Sequence, residues 1–276
     1  ILGNIAAANI AIDYNIQGPS FTVSTACSSG GDAINTACMC MQSGKADIML
    51  AVGAESVLCP LVIYSLANAK ALSRRNDSPS TASRPFDVTR DGFVIGEGGG
   101  ALVLETEEHA LARGAKIYAE IRGCGNTDDA YHVTAPHPEG RGAIACMKQA
   151  IAEAGINPSD IGYINAHGTA TNKGDTVETS SIKKVFGNTL PYVSSTKGAT
   201  GHMMGAGGIT ETITCVKAIE TGTVPPTINL NEVDPECAGI DFVANTAKKA
   251  EINFAMSNAF GFGGQNSSII VGKYGK

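Results

Sequence analysis

Cys27 is the side chain whose setting in this sequence most directly suggests chemistry. It follows an apolar run that includes Phe21 and Val23, and small residues that can start a helix come next. A thiol at such a strand-to-helix turn faces the positive end of the helix dipole and free backbone N–H groups, which lower its pKa. The same N–H groups could hold an oxyanion. We therefore predict a nucleophile, with a small buried hydrophobic residue as the alternative.

Two histidines occupy comparable positions later in the chain. His167 ends an apolar segment predicted as a strand at 161–166, and His202 lies in a glycine-rich loop after a predicted strand at 192–195. Ligands usually bind at strand ends in α/β sheets. A lone histidine at either place would more often be structural, so the sequence leaves both roles open.

The elements that would position these residues form two similar units. The first runs from a strand at 21–25 through the turn at Cys27 into a helix at 31–42. The second runs from the strand at 192–195 through a glycine-rich turn into a helix at 209–219. Two strand–turn–helix units of this kind indicate a duplicated α/β architecture.

Further alternating elements are predicted along the chain. The predicted strands are 48–53, 101–105, 117–124, 161–166, 254–259 and 267–272, and the predicted helices are 107–113 and 143–154. The last two strands flank a glycine-rich loop at 258–266, which indicates a hairpin. Residues 73–85 are rich in Ser, Arg and Pro and are predicted to form a surface loop.

Composition excludes several classes of function. The chain has 276 residues, 43% of them hydrophobic, and a net charge of −6, which argues against broad nucleic-acid binding. Its eight cysteines form no CxxC pair, so we expect reduced thiols in a cytoplasmic protein and no metal site. No apolar run reaches the ~18 residues needed to cross a bilayer, so no membrane association is expected. The GxGxxA match at 96–101 precedes a strand, which is the wrong order for a dinucleotide loop.

Seven short motifs together resemble the β-ketoacyl-[acyl carrier protein] synthases. They follow one another in that family's order and at its rough spacing: 25–29 (TACSS), 83–87 (SRPFD), 90–93 (RDGF), 96–98 (GEG), 167–169 (HGT), 197–202 (KGATGH) and 258–264 (NAFGFGG). The chain is most similar to the elongating type II members of bacterial or plastid fatty-acid synthesis. Polyketide ketosynthases share most of these motifs, and Ser28-Ser29 does not decide between the two groups.

The resemblance implies an α/β, thiolase-like fold with duplicated halves stacked in five layers, α-β-α-β-α. Residues 1–115 would be the remainder of the first half and carry Cys27. Residues 116–276 would be the second half and carry both histidines. Family members have a further αβ segment ahead of the region that Ile1 matches, so we expect the first third of the enzyme to be missing from this sequence.

The resemblance also implies a reaction, an acyl transfer followed by a decarboxylating Claisen condensation. Cys27 would accept an acyl group from the phosphopantetheine arm of acyl carrier protein, and the N–H groups of Cys27 and Phe262 would hold the oxyanion. His167 and His202 would stabilise the enolate formed from malonyl thioester. Lys197 would lie near His167 and pair with Glu211.

Further residues take roles by the same resemblance. Thr169 and Thr171 would line the pantetheine tunnel, Phe262 would gate the acyl pocket, and Phe260 and Thr134 would contact substrate. No cofactor or metal is expected, since the phosphopantetheine arrives on the carrier protein.

Two partners are expected from the resemblance. Acyl carrier protein is acidic, so its docking on an acidic chain needs a local basic patch, for which Lys70, Arg74 and Arg75 are candidates. The alternative is a solvated surface loop. A homodimer is also implied, with the strand that carries Phe21 and Val23 pairing across the two-fold axis.

Other functions remain as alternatives. A polyketide ketosynthase or a catalytically inert fragment would share these motifs. A coenzyme A thiolase would carry a second cysteine in the C-terminal glycine loop, and the loop at 258–266 has none. A chain-length-factor-like partner subunit would typically have lost the nucleophilic cysteine.

Overall fold

A six-stranded mixed sheet forms the middle of the molecule in the computed structural model, which describes residues 2–276. The strands of the molecule are β1 (Ile48–Glu55), β2 (Gly98–Glu105), β3 (Glu120–Asp128), β4 (Ile161–Asn165), β5 (Tyr192–Ser194), β6 (Thr223–Val224), β7 (Asp241–Phe242), β8 (Lys248–Lys249), β9 (Phe254–Phe260) and β10 (Gln265–Gly272). The strand order in the large sheet is β3-β10-β9-β4-β5-β7, and a separate antiparallel pair joins β1 to β2.

The helices are α1 (Ile5–Tyr14), α2 (Ser29–Gln42), α3 (Pro60–Asn68), α4 (Glu107–Ala112), α5 (Arg141–Ala154), α6 (Asn172–Phe186), α7 (Lys197–Thr200) and α8 (Gly207–Thr221). Of these, α2 and α8 pack on one face of the large sheet and α5 and α6 on the other. Within residues 2–276 no helix is long and apolar enough to span a bilayer.

The layers follow from two apolar clusters. One cluster places α2 and α8 between the β1–β2 pair and the large sheet, with Ile34 and Ile209 fully buried. The other packs α5 and α6 on the opposite face of the large sheet, around Met147 and Ile182. The order is therefore β-α-β-α, and Val103 on the outer face of β2 is 62% exposed. This arrangement accounts for four of the five expected layers.

Helix α5 shows why the local sequence adopts this structure. Its buried residues recur at helical spacing, so one apolar stripe faces β3 and β10. The helix ends where Gly155 takes a φ of +66°, a left-handed conformation that glycine adopts without steric cost. The prediction of a helix at 143–154 was therefore correct, with an observed start two residues earlier at Arg141.

Most of the other predicted elements also form. The hairpin is confirmed, because β9 and β10 pair in antiparallel register with Asn266 opposite Phe260. The dismissed dinucleotide motif lies at the start of β2, as expected.

Three expectations need correction. Residues 21–25 form no strand in the part of the chain described, because no neighbouring strand pairs with their backbone there, and Phe21 is 46% exposed. Strand β3 lies at Glu120–Asp128, shifted from 117–124, because pairing with β10 sets its register. The loop at 73–85 is only partly a surface loop, since Ser83 is buried and its Oγ donates to the Lys197 carbonyl.

Candidate active site

The nucleophile candidate lies on a tight turn that leads into α2. Cys27 is in the 3-10 turn Ala26–Ser28, and Ala26 has a φ of +52°, which is unusual for a residue with a side chain. Glycines let this turn approach its neighbours closely. A Cβ on Gly30 would lie 2.7 Å from the Ile209 nitrogen, and one on Gly31 would lie 2.4 Å from the Ser267 Oγ. The helix start is thus fitted between α8 and β10.

The structure brings the predicted cysteine and both histidines together. His202 Nε2 lies 3.0 Å from Cys27 Sγ, and the rings of His167 and His202 meet edge to face with centroids 5.3 Å apart. One Sγ or ring nitrogen from each residue lies within 4.8 Å of the others. Three residues far apart in sequence therefore form one site.

Backbone contacts hold His202 and define its tautomer. The backbone N–H of His202 donates to the Val94 carbonyl at 2.7 Å, and the backbone N–H of Gly96 donates to the His202 carbonyl at 2.9 Å. Its Nδ1 accepts from the Met204 N–H at 3.3 Å. Since Nδ1 is an acceptor in a neutral imidazole, the proton resides on Nε2 and points toward the thiol.

Burial keeps both imidazoles neutral. It lowers the pKa of His167 and that of His202 well below the usual 6.5, and the positive charge of Lys197 acts in the same direction. At pH 7 each ring therefore offers one N–H donor and no full charge, which suits a hydrogen bond to a developing oxyanion.

The thiol of Cys27 corrects one sequence-based expectation. Burial raises its pKa above 9.0, and this effect outweighs the N–H groups of Phe262 and Cys27 and the charge of Lys197, all of which lower it. The turn does supply the expected N–H groups, but the enclosed cavity disfavours the thiolate. The resting group is the protonated thiol, so the expectation of a lowered pKa was wrong.

Lys197 and Glu211 form a buried ion pair behind the histidines. The Lys197 ammonium donates to Glu211 Oε1, and both side chains are almost fully enclosed. The resemblance implied this pairing, and the structure shows it. Removing one member of such a pair leaves an uncompensated buried charge, typically a loss of about 3–5 kcal/mol.

Two further carboxylates, missed by the sequence analysis, hold the His167 loop. Glu178 accepts the N–H groups of His167 and Gly168 at 2.8 and 2.7 Å. Asp175 accepts from Thr169 N–H at 3.1 Å and lies 3.5 Å from Arg90. Their signal in the sequence is an i, i+3 pair of acids on the helix that follows the loop, which places both on one helix face.

Glu178 gives a pH-dependent prediction. Burial raises its pKa from 4.5 to about 7, against the two N–H bonds that lower it. Between these values the folded state binds more protons than the unfolded state, so stability falls as pH rises through this window. Across this pH window we expect the free energy of unfolding of the wild type to fall by up to roughly 3 kcal/mol relative to that of Glu178→Gln, since one pKa unit corresponds to about 1.4 kcal/mol.

Urea unfolding at pH 5, 6, 7 and 8 measures this difference. The exposed residue Glu251 supplies a matched control, because Glu251→Gln should leave the pH profile of wild type unchanged. Parallel profiles for wild type and Glu178→Gln would show that Glu178 does not titrate in this range.

A cavity of about 270 Å³ opens onto the cysteine and the histidines. Its wall includes all five residues that the resemblance assigned to substrate: Thr134, Thr169, Thr171, Phe260 and Phe262. The β9–β10 turn lies against the nucleophile, since a Cβ on Gly261 would lie 3.3 Å from the Cys27 nitrogen. Leu66, Phe93 and Met204 add apolar surface suited to an acyl chain. The substrate roles themselves stay predictions.

The three proposed docking cations are not equivalent. Lys70 follows α3 and is exposed, and Arg74 is exposed as well. Arg75 is half-buried, and its guanidinium donates to the Thr89 carbonyl at 2.6 Å and lies 3.9 Å from Asp91. Only Lys70 and Arg74 therefore present free charge to a partner.

Cys27, His167 and His202 also form the one candidate metal-ligand cluster among residues 2–276. A thiolate and two imidazoles are ligands that zinc accepts. However, the 3.0 Å contact between Cys27 and His202 is a direct hydrogen bond, which a bound ion would have to replace. The absence of a metal from the reaction stays an expectation.

Sequence comparison finds two matching family models. Residues 1–110 match the β-ketoacyl synthase N-terminal domain, and residues 118–231 match the β-ketoacyl synthase C-terminal domain. The chain is 48% identical over 274 residues to the 3-oxoacyl-[acyl-carrier-protein] synthase 2 of Rhizobium meliloti, covering 98% of the chain and 65% of that protein. It is 45% identical to the chloroplastic 3-oxoacyl-[acyl-carrier-protein] synthase II of Arabidopsis thaliana, covering 98% of the chain and 50% of that protein.

Structural comparison agrees with the sequence matches. The ketosynthase of a type II polyketide synthase, solved in complex with its acyl-carrier protein, superposes with a TM-score of 0.95 at 38% identity. The superposition covers 98% of the chain and 67% of that protein. The predicted fold class, a thiolase-like α/β architecture, is thereby confirmed.

Proposed function

The chain belongs to the β-ketoacyl synthase family, and from that premise we propose that it condenses an acyl group with malonyl-[acyl carrier protein]. The product is β-ketoacyl-[acyl carrier protein]. The observation that supports this function best is the cavity in which Cys27 Sγ lies 3.0 Å from His202 and next to His167. This arrangement supplies a nucleophile and two neutral N–H donors in one enclosed space.

The first step is transfer of the acyl group to Cys27. The thiol sulfur attacks the thioester carbonyl of the acyl carrier, the thiol loses its proton, and the pantetheine thiol leaves with a proton. The N–H groups of Cys27 and Phe262 lower the pKa of the thiol and so act at the sulfur in the resting site, and a small movement would turn them toward the carbonyl oxygen.

The second step is decarboxylation of malonyl thioester. Carbon dioxide departs, and the electron pair of the broken C–C bond passes into the thioester carbonyl to form an enolate. His167 and His202 donate hydrogen bonds to that oxygen as it gains charge. Because both rings are neutral, they stabilise the enolate without protonating it.

The third step joins the two fragments. The enolate carbon attacks the carbonyl of the Cys27 thioester, a C–C bond forms, and the C–S bond breaks. The Cys27 thiolate that leaves takes up a proton from solvent, since the thiol's original proton left with the pantetheine thiol in the first step. The cavity is lined mainly by apolar and small residues, and this limits water access to the thioester and the enolate.

We place the reaction in fatty-acid elongation, with a polyketide pathway as the alternative. Support comes from relatives at 45–48% identity that are named 3-oxoacyl-[acyl-carrier-protein] synthase 2 or II, against 38% for the polyketide ketosynthase. A catalytically inert fragment is the remaining alternative, since the chain spans 65% of the length of its Rhizobium relative.

Phosphopantetheine would enter as part of the carrier protein, so the proposed reaction uses no resident cofactor. The relatives are bacterial and plant proteins, one of them chloroplastic, which supports a cytoplasmic or plastid location. We also propose a homodimer, since residues 21–25 offer an extended segment with an exposed Phe21 and no strand partner in the described part of the chain.

Acylation of the thiol tests the function directly. Wild-type protein is incubated with acyl-[acyl carrier protein], and intact mass is measured with peptide mapping. The proposal expects one acyl group on Cys27 and release of carbon dioxide from malonyl-[acyl carrier protein]. A protein that binds neither substrate and gains no mass would support the inert fragment.

Docking of the carrier protein gives a second prediction for this function. Lys70 and Arg74 lie near the cavity, because Leu66 of α3 lines it and Ser73 bonds the carbonyl of the lining residue Phe93. Lys70→Glu with Arg74→Glu should raise the apparent KM for carrier-protein substrates several-fold. Each exposed ion pair contributes only ~0.2–1 kcal/mol, so the combined effect is moderate and should shrink at high salt.

The controls separate docking from damage to the site. Small pantetheine thioesters make no protein–protein contact, so their turnover should barely change in the double variant. Lys45→Glu with Lys148→Glu reverses two exposed charges that do not line the cavity. This control should leave the apparent KM and the turnover of both kinds of substrate unchanged. Equal losses on carrier-protein and pantetheine substrates would exclude this docking surface.

A further inference from the structure

Asp32 is a buried carboxylate that the proposed reaction leaves without a role. It lies on α2, shortly after the nucleophile, and is 4% exposed. It does not line the catalytic cavity. A buried charge with no pairing cation is costly unless hydrogen bonds compensate it, so its contacts indicate what it does.

Three donors converge on this carboxylate. Oδ2 accepts from the Thr25 hydroxyl at 2.5 Å and from the Ser28 hydroxyl at 2.8 Å. Oδ1 accepts from the side-chain amide of Asn126 at 2.6 Å. Thr25 and Ser28 are the residues that enclose Ala26 and Cys27, so one oxygen atom joins both ends of the turn that presents the thiol.

The turn needs such support because of its backbone conformation. Ala26 has a φ of +52°, and a residue with a side chain keeps this left-handed conformation only where its surroundings impose it. Ser29 provides a local contact, accepting from the Thr25 N–H at 2.9 Å and donating to the Ala26 carbonyl at 2.7 Å. Asp32 alone among these contacts also reaches outside the turn, through Asn126.

Asn126 connects the turn to the other half of the oxyanion site. It lies on β3 and faces Ser267 of β10 in the ladder, and β10 forms the hairpin with β9 that carries Phe262 in its loop. The Cys27 N–H and the Phe262 N–H therefore belong to two separate segments. The path Thr25–Asp32–Asn126 links the first segment to the sheet that holds the second.

We propose that Asp32 is a positioning residue that aligns the Cys27 N–H with the Phe262 N–H and so assembles the oxyanion site. The inference rests on the proposed function for the identity of the acyl donor, but not on the condensation step. An ionised carboxylate can accept all three hydrogen bonds, whereas an asparagine would direct its NH₂ group at one of the donors. The carboxylate of Asp32 is therefore needed to hold Thr25, Ser28 and Asn126 at the same time.

Two reactions of the same thiol test this role in the 276-residue chain. Acylation by p-nitrophenyl acetate needs the oxyanion site, whereas alkylation by iodoacetamide forms no oxyanion and needs only the thiol. We expect Asp32→Asn to slow acylation of Cys27 about 10- to 100-fold, up to the usual effect of one lost oxyanion donor. Alkylation should change by less than about threefold, because it forms no oxyanion and the two N–H groups act on it only through the pKa of the thiol, where burial outweighs them.

Thr36→Val is the matched control, since it removes a 2.6 Å bond to the Asp32 carbonyl on the same helix without touching the carboxylate. Both rates should match wild type in this control. If Asp32→Asn does not fold, as judged by circular dichroism, Asn126→Ala removes only the link to β3 and should show the same selective loss of acylation.

The outcomes separate the two proposals. Parallel losses of acylation and alkylation in Asp32→Asn would show a purely structural role and overturn the positioning role. Unchanged acylation in this variant would also overturn the positioning role. Wild type that reacts with p-nitrophenyl acetate but takes no acyl group from acyl-[acyl carrier protein] would refute the condensing function, and the Asp32 comparison would still hold. If p-nitrophenyl acetate fails to acylate the wild type, the chain has no working oxyanion site and the inference is overturned.

Discussion

Cys27→Ala should abolish formation of the acyl-enzyme, because no other group at the site can hold a thioester. The substitution removes the sulfur that lies 3.0 Å from His202 and leaves the histidines and the cavity in place. Intact mass after incubation with acyl-[acyl carrier protein] should show no added acyl group. Malonyl decarboxylation, which does not use the thiol in the proposed mechanism, should remain measurable and shows that the variant is folded.

The other cysteines supply the control for this prediction. Cys59 is exposed and Cys38 is half-buried, and neither lines the cavity. Cys59→Ala should therefore acylate like wild type. Peptide mapping that finds the acyl group on Cys38 or Cys59 would refute the assignment of the nucleophile.

His167→Ala and His202→Ala should each stop malonyl decarboxylation almost completely. Each variant loses one of the two neutral imidazoles that the proposed mechanism uses to stabilise the enolate. Removing one oxyanion donor typically costs ~10²–10³ in rate. Release of labelled carbon dioxide from malonyl-[acyl carrier protein] measures the effect, and Cys27 should still accept an acyl group, at least slowly.

Two comparisons sharpen the histidine prediction. His202→Gln retains an N–H donor and should recover part of the lost rate, which a general loss of folding would not allow. His109 lies on α4 outside the cavity, so His109→Ala should decarboxylate like wild type. Normal decarboxylation in both active-site variants would remove the histidines from the mechanism.

The family and the fold class were predictable from the sequence. Seven motifs in the order and at the rough spacing of the β-ketoacyl synthases identified the family, and the family models match the same chain. The helix at Arg141–Ala154 and the β9–β10 hairpin were also predictable, since apolar spacing and glycine-rich turns act over short distances. The structure brings Cys27, His167 and His202 together, and their catalytic roles stay predictions.

The tertiary structure alone decided the electrostatics and the supports of the site. The pKa of Cys27 is raised and not lowered, because burial is a property of the whole cavity and cannot be read from a strand-to-helix turn. Glu178 and Asp32 became visible only through their contacts with His167, Thr25 and Ser28. Residues 21–25 have the composition of a strand, but a strand exists only where another segment supplies its hydrogen bonds, and sequence patterns carry no information about that partner.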